Sequence, residues 1–279
     1  MAQNKMTLED IHAELLEQLR DIVAVCNRHG IKYNLMCGSL LGVVRHKGFI
    51  PWDDDIDIGM LRADYERFLT EAPALLPEYY FLQTARTDPA FPHNFAKIRD
   101  SRTTFIETLT HRLPIHHGVF IDIFPFDPYP ESALQARMLE YRRKILKSRI
   151  DQAFHYDHPI TRSPVGKTLL WAAERLYPTV PDAVRARERL YTAPRTGDRV
   201  TNFCGIWGDR EIVPREWLTE TCELEFEGFR AKCPAAYDRY LTNVYGDYMQ
   251  LPPVEKRVTH HFTERIDLHR PYTDYTETK

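Results

Sequence analysis

Gly38-Ser39-Leu40-Leu41-Gly42, followed by Pro51-Trp52-Asp53-Asp54-Asp55-Ile56-Asp57-Ile58-Gly59, is the stretch on which the fold turns. The isoleucines at 56 and 58 alternate with aspartates at 55 and 57, which is the period of a strand with one apolar and one charged face. Asp55 and Asp57 then project to one side, their Cα atoms about 6.5 to 7 Å apart, and converge on one hard cation. Without a cation the two carboxylates repel, and at least one is driven toward protonation. Mg²⁺, or Mn²⁺ in its place, resolves the conflict while also taking substrate phosphate oxygens. By parity Asp53 shares their face if the strand extends that far, and Asp54 faces away.

Working outward, Ile31 to Met36 alternates as a short strand, and Leu40 to His46 forms a brief helix after the Gly38-Ser39 turn. Backbone N–H groups at that helix start, with the Ser39 hydroxyl, suit a phosphate oxygen. Downstream, Val119-Phe120-Ile121-Asp122-Ile123-Phe124 is a buried-strand pattern broken by one acid. A lone buried charge needs a partner, so Asp122 is a third metal ligand or the base for an attacking hydroxyl. Lys97 and Arg99 alternate onto one face of a Phe95 to Asp100 strand and could reach a phosphate. Gly-Ser, an Asp-Ile-Asp strand and a later strand with one Asp, in that order, form the pattern of the nucleotidyltransferase fold.

Around this core, Thr7-Leu8-Glu9-Asp10 caps a helix that Gly30 ends, and Arg62 to Leu76 is amphipathic enough for another. Tyr79 to Thr84 reads as a further strand, with Thr103 to Glu107 pairing beside the others. Helical patterns follow from Ser132 to about Tyr156, Gly166 to Tyr177, Pro181 to Tyr191 and Ala235 to Tyr245, with a strand at Cys222 to Arg230. The fold class is α+β: a nucleotidyltransferase-like mixed β-sheet core with an N-terminal helix and a mostly helical C-terminal half. One domain is expected over 1–279, with a β-rich core at 30–127, helices packed on it over 128–262 and a loose tail at 263–279.

The composition narrows the function. The 279 residues are 43% hydrophobic, enough for a substantial core. Lys plus Arg number 37 against 40 Asp plus Glu, a formal charge of -3, so no broad basic surface exists for nucleic acid. No apolar run approaches the roughly 20 residues of a membrane span. Met1 to Gly30 is too acidic for a secretion signal, and five scattered cysteines without a C-x-x-C pair argue for reduced thiols. A cytoplasmic protein is expected, with peripheral contact at the inner face of the membrane through the basic helix from Ser132 as a lesser alternative.

Against these readings stand plainer ones. His116-His117 lacks metal-ligand spacing and is read as a loop pair. Trp52, Tyr33 and Trp207 could cage a quaternary ammonium, though packing is the simpler role. Asp53-x-Asp55-x-Asp57 mimics the start of a calcium-binding EF-hand loop, but Ile58 stands at its glycine position and Asp64 at its twelfth.

The run Cys37 to Met60 closely resembles the LicD family, as do Lys97-Ile98-Arg99-Asp100-Ser101, Thr103 to Glu107, Ile121-Asp122-Ile123-Phe124-Pro125 and the segment from Tyr245 to His260. The resemblance implies transfer of a phospho-alcohol, most often phosphocholine, from a CDP-linked donor to a hydroxyl of a cell-surface glycan or lipid-linked glycan, with release of CMP. It implies magnesium on Asp55, Asp57 and Asp122, with Asp53 matching a further acid of the motif. Lys256, Arg257 and His260, after Pro252-Pro253, are expected to cover the site from the other end. The competing enzymatic reading is a nucleotidyltransferase that releases pyrophosphate.

Overall fold

A computed structural model describes residues 6–154, 163–259 and 261–275. The first half runs α1 (Leu8–His29), β1 (Asn34–Leu35), α2 (Cys37–His46), β2 (Asp57–Leu61), α3 (Arg62–Glu71), β3 (Tyr80–Gln83), β4 (Ala96–Asp100), β5 (Thr104–Glu107) and β6 (Phe120–Pro128). The second half runs α4 (Ala133–Ile150), α5 (Pro164–Leu176), α6 (Val180–Tyr191), β7 (Arg199–Thr201), β8 (Val213–Pro214), α7 (Glu216–Thr219), β9 (Thr221–Phe226), β10 (Phe229–Pro234), α8 (Tyr237–Tyr245) and β11 (Thr263–Asp267). The class is α+β, as the strand and helix periods imply.

The central sheet has the order β1-β2-β6-β4-β3, with β7 and β8 continuing from the far end of β6. Only β2 and β6 among these strands run parallel. Isoleucines 56, 58, 98, 121 and 123 are fully buried and pack under α1, whose Leu15, Leu19 and Ile22 face the same core. Thr7 and Asp10 form the capping box that starts α1, and Gly30 ends it at φ 65, a left-handed conformation that suits glycine. A second core joins α4 and α6 through Leu139, Leu146, Ile150, Val184 and Leu190, closed by Tyr129 and Phe203.

Three expectations give way here. The 222–230 strand is a hairpin instead, β9 turning into β10 at Glu227 (φ 46) and Gly228 (φ 76); two consecutive left-handed residues make a tight turn that a Glu-Gly pair announces weakly. Thr104–Glu107 joins no strand of the central sheet and pairs with β11. Consequently residues 263–275 are ordered rather than loose: β11 is tied into a ladder, Thr104 donates to the Arg270 carbonyl, and the Tyr272 ring lies 4.5 Å from that of His116. The 128–262 half also carries more strand than its helical periodicity suggests. No helix among the described residues is long and apolar enough to cross a membrane.

Candidate active site

The parallel pairing of β2 with β6 sets Asp57 directly opposite Asp122, and the antiparallel pairing of β4 with β6 sets Lys97 opposite Asp122 on its other side. Acid, acid and cation therefore form one row across three strands. Register partners share a face, so the row needs no loop to assemble it. Lys97 Nζ lies 3.1 Å from Asp122 Oδ1 and 3.2 Å from the Phe120 ring centroid, which holds the ammonium in place.

Asp57 is fixed through its backbone. Its N–H donates to Ser39 Oγ at 2.8 Å, and its carbonyl accepts from Met36 N–H at 3.0 Å. The Ser39 oxygen is thus already bonded to the strand and retains only its own proton for a phosphate. Gly38 is required for a different reason from close approach to phosphate: a Cβ there would stand 2.7 Å from Asp53 Oδ2. The Asp53 carboxylate occupies that space at the start of α2, where Met36 supplies no side-chain cap and the helix N–H groups favour an anion.

Regular strand begins at Asp57, so parity does not govern residues 53 to 55. Asp54, expected to face away, is instead buried, and Asp53, Asp54 and Asp55 each offer an oxygen within 4.8 Å of the others. The turn is pinned by the Asp53 N–H donating to the Ile50 carbonyl. His12 Nε2, at 2.7 Å, donates to the Asp53 carbonyl while its ring stacks on Phe49.

Five carboxylates thus crowd one region, and their protonation shows the strain. Burial first, then the Asp54 charge, pushes Asp53 up to about 6. Burial and the Asp53 charge push Asp55 up to about 7. Asp57 is likewise raised well above the usual carboxylate range, by burial and by the charges of Asp55 and Asp122. Asp122 is also raised by burial, a shift that Lys97 partly offsets. The compensating cations are Lys97 and His261, whose Nδ1 sits 3.0 Å from Asp54 Oδ1 and 3.9 Å from Asp55 Oδ2. Burial opposes a charge on His261, but the Asp54 bond and the Asp55 charge prevail and push it up to about 9. Among the described residues, two cations against five acids leave a hard, oxygen-rich site short of positive charge, which fits Mg²⁺ or Mn²⁺.

Arg99 does not reach the site. It is fully buried, with Nε donating to Gln83, Nη1 to the Gly118 carbonyl and Nη2 to Glu107, so no donor face is left for phosphate. Lys256 is exposed on a 3-10 turn over Val254–Lys256, and the cation lying over Trp52 is its neighbour Arg257, 5.4 Å from the ring centroid. His260 lies outside the described residues. Tyr33 is buried and accepts from Lys232 N–H, so it cannot cage a ligand with Trp52 and Trp207. His116 and His117 are buried loop residues, His116 pushed down to about 3 by burial and by Arg99.

Sequence reasoning missed His261 and Glu107. Glu107 is held down to about 2 because Lys97 and Arg99 outweigh its burial. His261 is set beside the acids by β11 pairing with β5, and its ring meets those of Phe105 and Phe120 edge-on. The parity of Phe105 and Glu107 on one short strand was the available signal for Glu107; no local pattern announces a partner 207 residues from Asp54.

Comparison with known proteins gives the family. The family described as LicD/FKTN/FKRP, nucleotidyltransferase domain, matches residues 30–172, which contain Asp53, Asp54, Asp55, Asp57 and Asp122. The chain is 30% identical over 263 residues to the lipopolysaccharide cholinephosphotransferase LicD of Haemophilus influenzae, covering 93% of this chain and 98% of that protein. It is 46% identical over 50 residues to human ribitol 5-phosphate transferase FKRP, covering 18% of this chain and 10% of that one. The chain belongs to the LicD family.

Proposed function

We propose that this protein transfers a phospho-alcohol, with phosphocholine the first candidate, from a CDP-linked donor to a hydroxyl of a surface glycan or its lipid-linked precursor, releasing CMP. That it is a phosphotransferase follows from its family and from a likeness that extends over nearly the whole of a cholinephosphotransferase. The observation that carries the finer reading is the row Asp57, Asp122 and Lys97 beside the Asp53 to Asp55 turn.

In the proposed reaction the acceptor oxygen attacks the distal phosphorus of the donor, the new O–P bond forms as the P–O bond to CMP breaks, and the hydroxyl proton passes to a carboxylate. Asp122, opposite Asp57 on the neighbouring strand, is suited to take it in the arrangement in which Asp55 and Asp57 hold the ion. Asp55 and Asp57, with Asp53 and Asp54 adjoining and Asp122 as third ligand or base, would hold a magnesium ion, which would supply charge neutralisation on the donor diphosphate. The Ser39 hydroxyl, whose oxygen already accepts from the Asp57 N–H, directs its proton to a phosphate oxygen. The proposed setting is the cytoplasm, with the acceptor met at the inner face of the membrane.

The test is incubation with CDP-choline or CDP-ribitol, magnesium and glycan acceptors. CMP release with transfer of the alcohol phosphate supports the proposal. Pyrophosphate released from a nucleoside triphosphate would assign the site to nucleotidyl transfer instead.

A further inference from the structure

α4 carries apolar residues on two separate sides, and only one of them packs into a core among the described residues. Leu139, Leu146 and Ile150 are buried with α6 in the second core. Leu134, Met138 and Tyr141 follow at spacings of four and three residues, the repeat of a single helical face, yet are 68%, 58% and 58% exposed. Their stripe stands roughly 130° round the helix from the buried one. Apolar side chains scattered singly over a surface need no explanation, but three in helical register mark a contact surface.

The charge around the stripe states what covers it. α4 has Arg137, Arg142, Arg143, Lys144, Lys147 and Arg149 against one acid, Glu140, in a chain whose net charge is -3. Arg143 pairs with Glu140 and Lys147 with Asp151, and Arg149 donates to the Tyr177 and Pro178 carbonyls. Arg137, Arg142 and Lys144 are exposed and form no ion pair among the described residues. On the helix Arg137 and Lys144 flank the stripe on one side and Arg142 on the other. A second copy of this chain seated there would set these cations against each other, and a nucleic acid would gain nothing from the stripe. An anionic lipid surface meets both features: its acyl boundary takes Leu134, Met138 and Tyr141 while its phosphates meet the flanking cations.

α5 extends the same region. Arg149, and Gln152 donating to Glu174, tie it to the C-terminal end of α4. Of α5 only Ala173 is buried, whereas Val165, Trp171 and Leu176 are exposed, with Lys167 between them and Arg175 lying 5.0 Å over the Trp171 ring. The region is also fixed relative to the acidic row. β6 carries Asp122 and ends at Pro128, α4 starts at Ala133, and the connection is pinned by the Tyr129 N–H donating to the Arg199 carbonyl.

We propose that the Leu134, Met138 and Tyr141 face of α4, with α5 beside it, docks on an anionic phospholipid bilayer, lying along its surface. The surface itself stands on the geometry of α4; its purpose, bringing the acidic row to a lipid-borne acceptor, rests on the transferase reading above.

The experiment is co-sedimentation of the intact protein with vesicles of phosphatidylglycerol and phosphatidylcholine, and with vesicles of phosphatidylcholine alone, at stepped salt. Wild type is compared with two triple variants, one carrying Leu134→Gln, Met138→Gln and Tyr141→Gln, the other Arg137→Gln, Arg142→Gln and Lys144→Gln. Wild type is expected to bind the anionic vesicles about tenfold or more tightly than the neutral ones and to be released by salt. Each triple variant is expected to lose about tenfold or more of that binding, with a melting temperature near wild type because all six side chains are exposed. CMP release with a water-soluble glycan acceptor, followed in parallel, should not change in either variant. No binding by wild type, or binding that the apolar substitutions leave intact, overturns the inference even where CMP release is normal. Self-association of wild type in ultracentrifugation that the apolar substitutions abolish, without vesicle binding, gives the face to a second copy and overturns it equally. Vesicle binding that behaves as expected while no CMP is released sustains the docking surface and sinks the transferase reading alone.

Discussion

Asp57 and Asp122 are register partners across the one parallel strand pair of the central sheet, so two buried carboxylates are presented side by side by backbone pairing alone. The β-ladder that aligns them is also what prevents them from separating, and their repulsion can be relieved only by protons or cations. Most of the behaviour of this site follows from that constraint.

Replacing either acid by its amide tests it directly. Asp57→Asn and Asp122→Asn are expected to lower transfer by about 100-fold or more, by removing a ligand to the ion. For Asp57→Asn, thermal stability without metal is expected to equal or exceed wild type, because a repelling charge is gone, and the difference should widen as pH rises; Asp122→Asn also removes the partner of the buried Lys97, which opposes that gain. Melting curves with and without magnesium check this: wild type should be stabilised by the ion and the variants much less. A variant that melts early in both conditions would mean the acid is structural.

The same crowding sets a pH dependence with a definite sign. Asp53 at about 6 and Asp55 at about 7 bind protons more tightly in the folded chain than in the unfolded chain. Their contribution is therefore fully present below about pH 4 and is lost as pH rises through 6 and 7. His261 behaves alike at higher pH, its contribution intact below about 6.5 and lost through about 9. Metal-free protein should lose stability from these groups between pH 4 and 9, whereas magnesium affinity should rise over the Asp53 and Asp55 part of that range. Denaturant melts and calorimetric titrations at stepped pH measure both; a magnesium affinity that falls with pH would contradict the assignment.

How much of this was legible in the sequence depends on the range of the interaction. Alternation of Ile56 and Ile58 with Asp57 located β2, and the single acid of Val119 to Phe124 located β6, since each strand pattern is local. Their adjacency was expected, but parity failed at Asp54 because the chain turns before the strand starts, and residues held by a turn do not alternate. Arg99 shows a second limit. Its spacing from Lys97 is that of a shared face, yet Lys97 meets Asp122 while Arg99 is consumed by Gln83, Gly118 and Glu107. Spacing gives the face, and only neighbouring strands decide whether that face is a site or a core.

Arg99 therefore yields a prediction opposite to that for a phosphate ligand. Arg99→Met removes a partner of the buried Gln83 and leaves Glu107 with Lys97 alone at 3.9 Å, and is expected to cost roughly 3 kcal/mol or more of stability. The KM for the donor, measured on the fraction that remains folded, should stay near wild type. A large rise in KM with unchanged melting temperature would return Arg99 to the phosphate site.

Gly38 gives the most discriminating test, because two roles for it predict different measurements. If glycine is there to let a phosphate approach, Gly38→Ala should raise the donor KM even at saturating magnesium and leave binding of the ion alone untouched. The geometry favours the other role, since the added Cβ would stand 2.7 Å from Asp53 Oδ2. Either the carboxylate turns away or the start of α2 shifts, and both outcomes spoil the oxygen cluster of Asp53, Asp54 and Asp55. Magnesium affinity measured by calorimetry with no nucleotide present is thus expected to fall by about tenfold. The Gly38 φ does not lie in the left-handed region, so alanine brings no backbone strain, and metal-free melting should change little. Unaltered magnesium binding in Gly38→Ala would show that Asp53 takes no part in holding the ion.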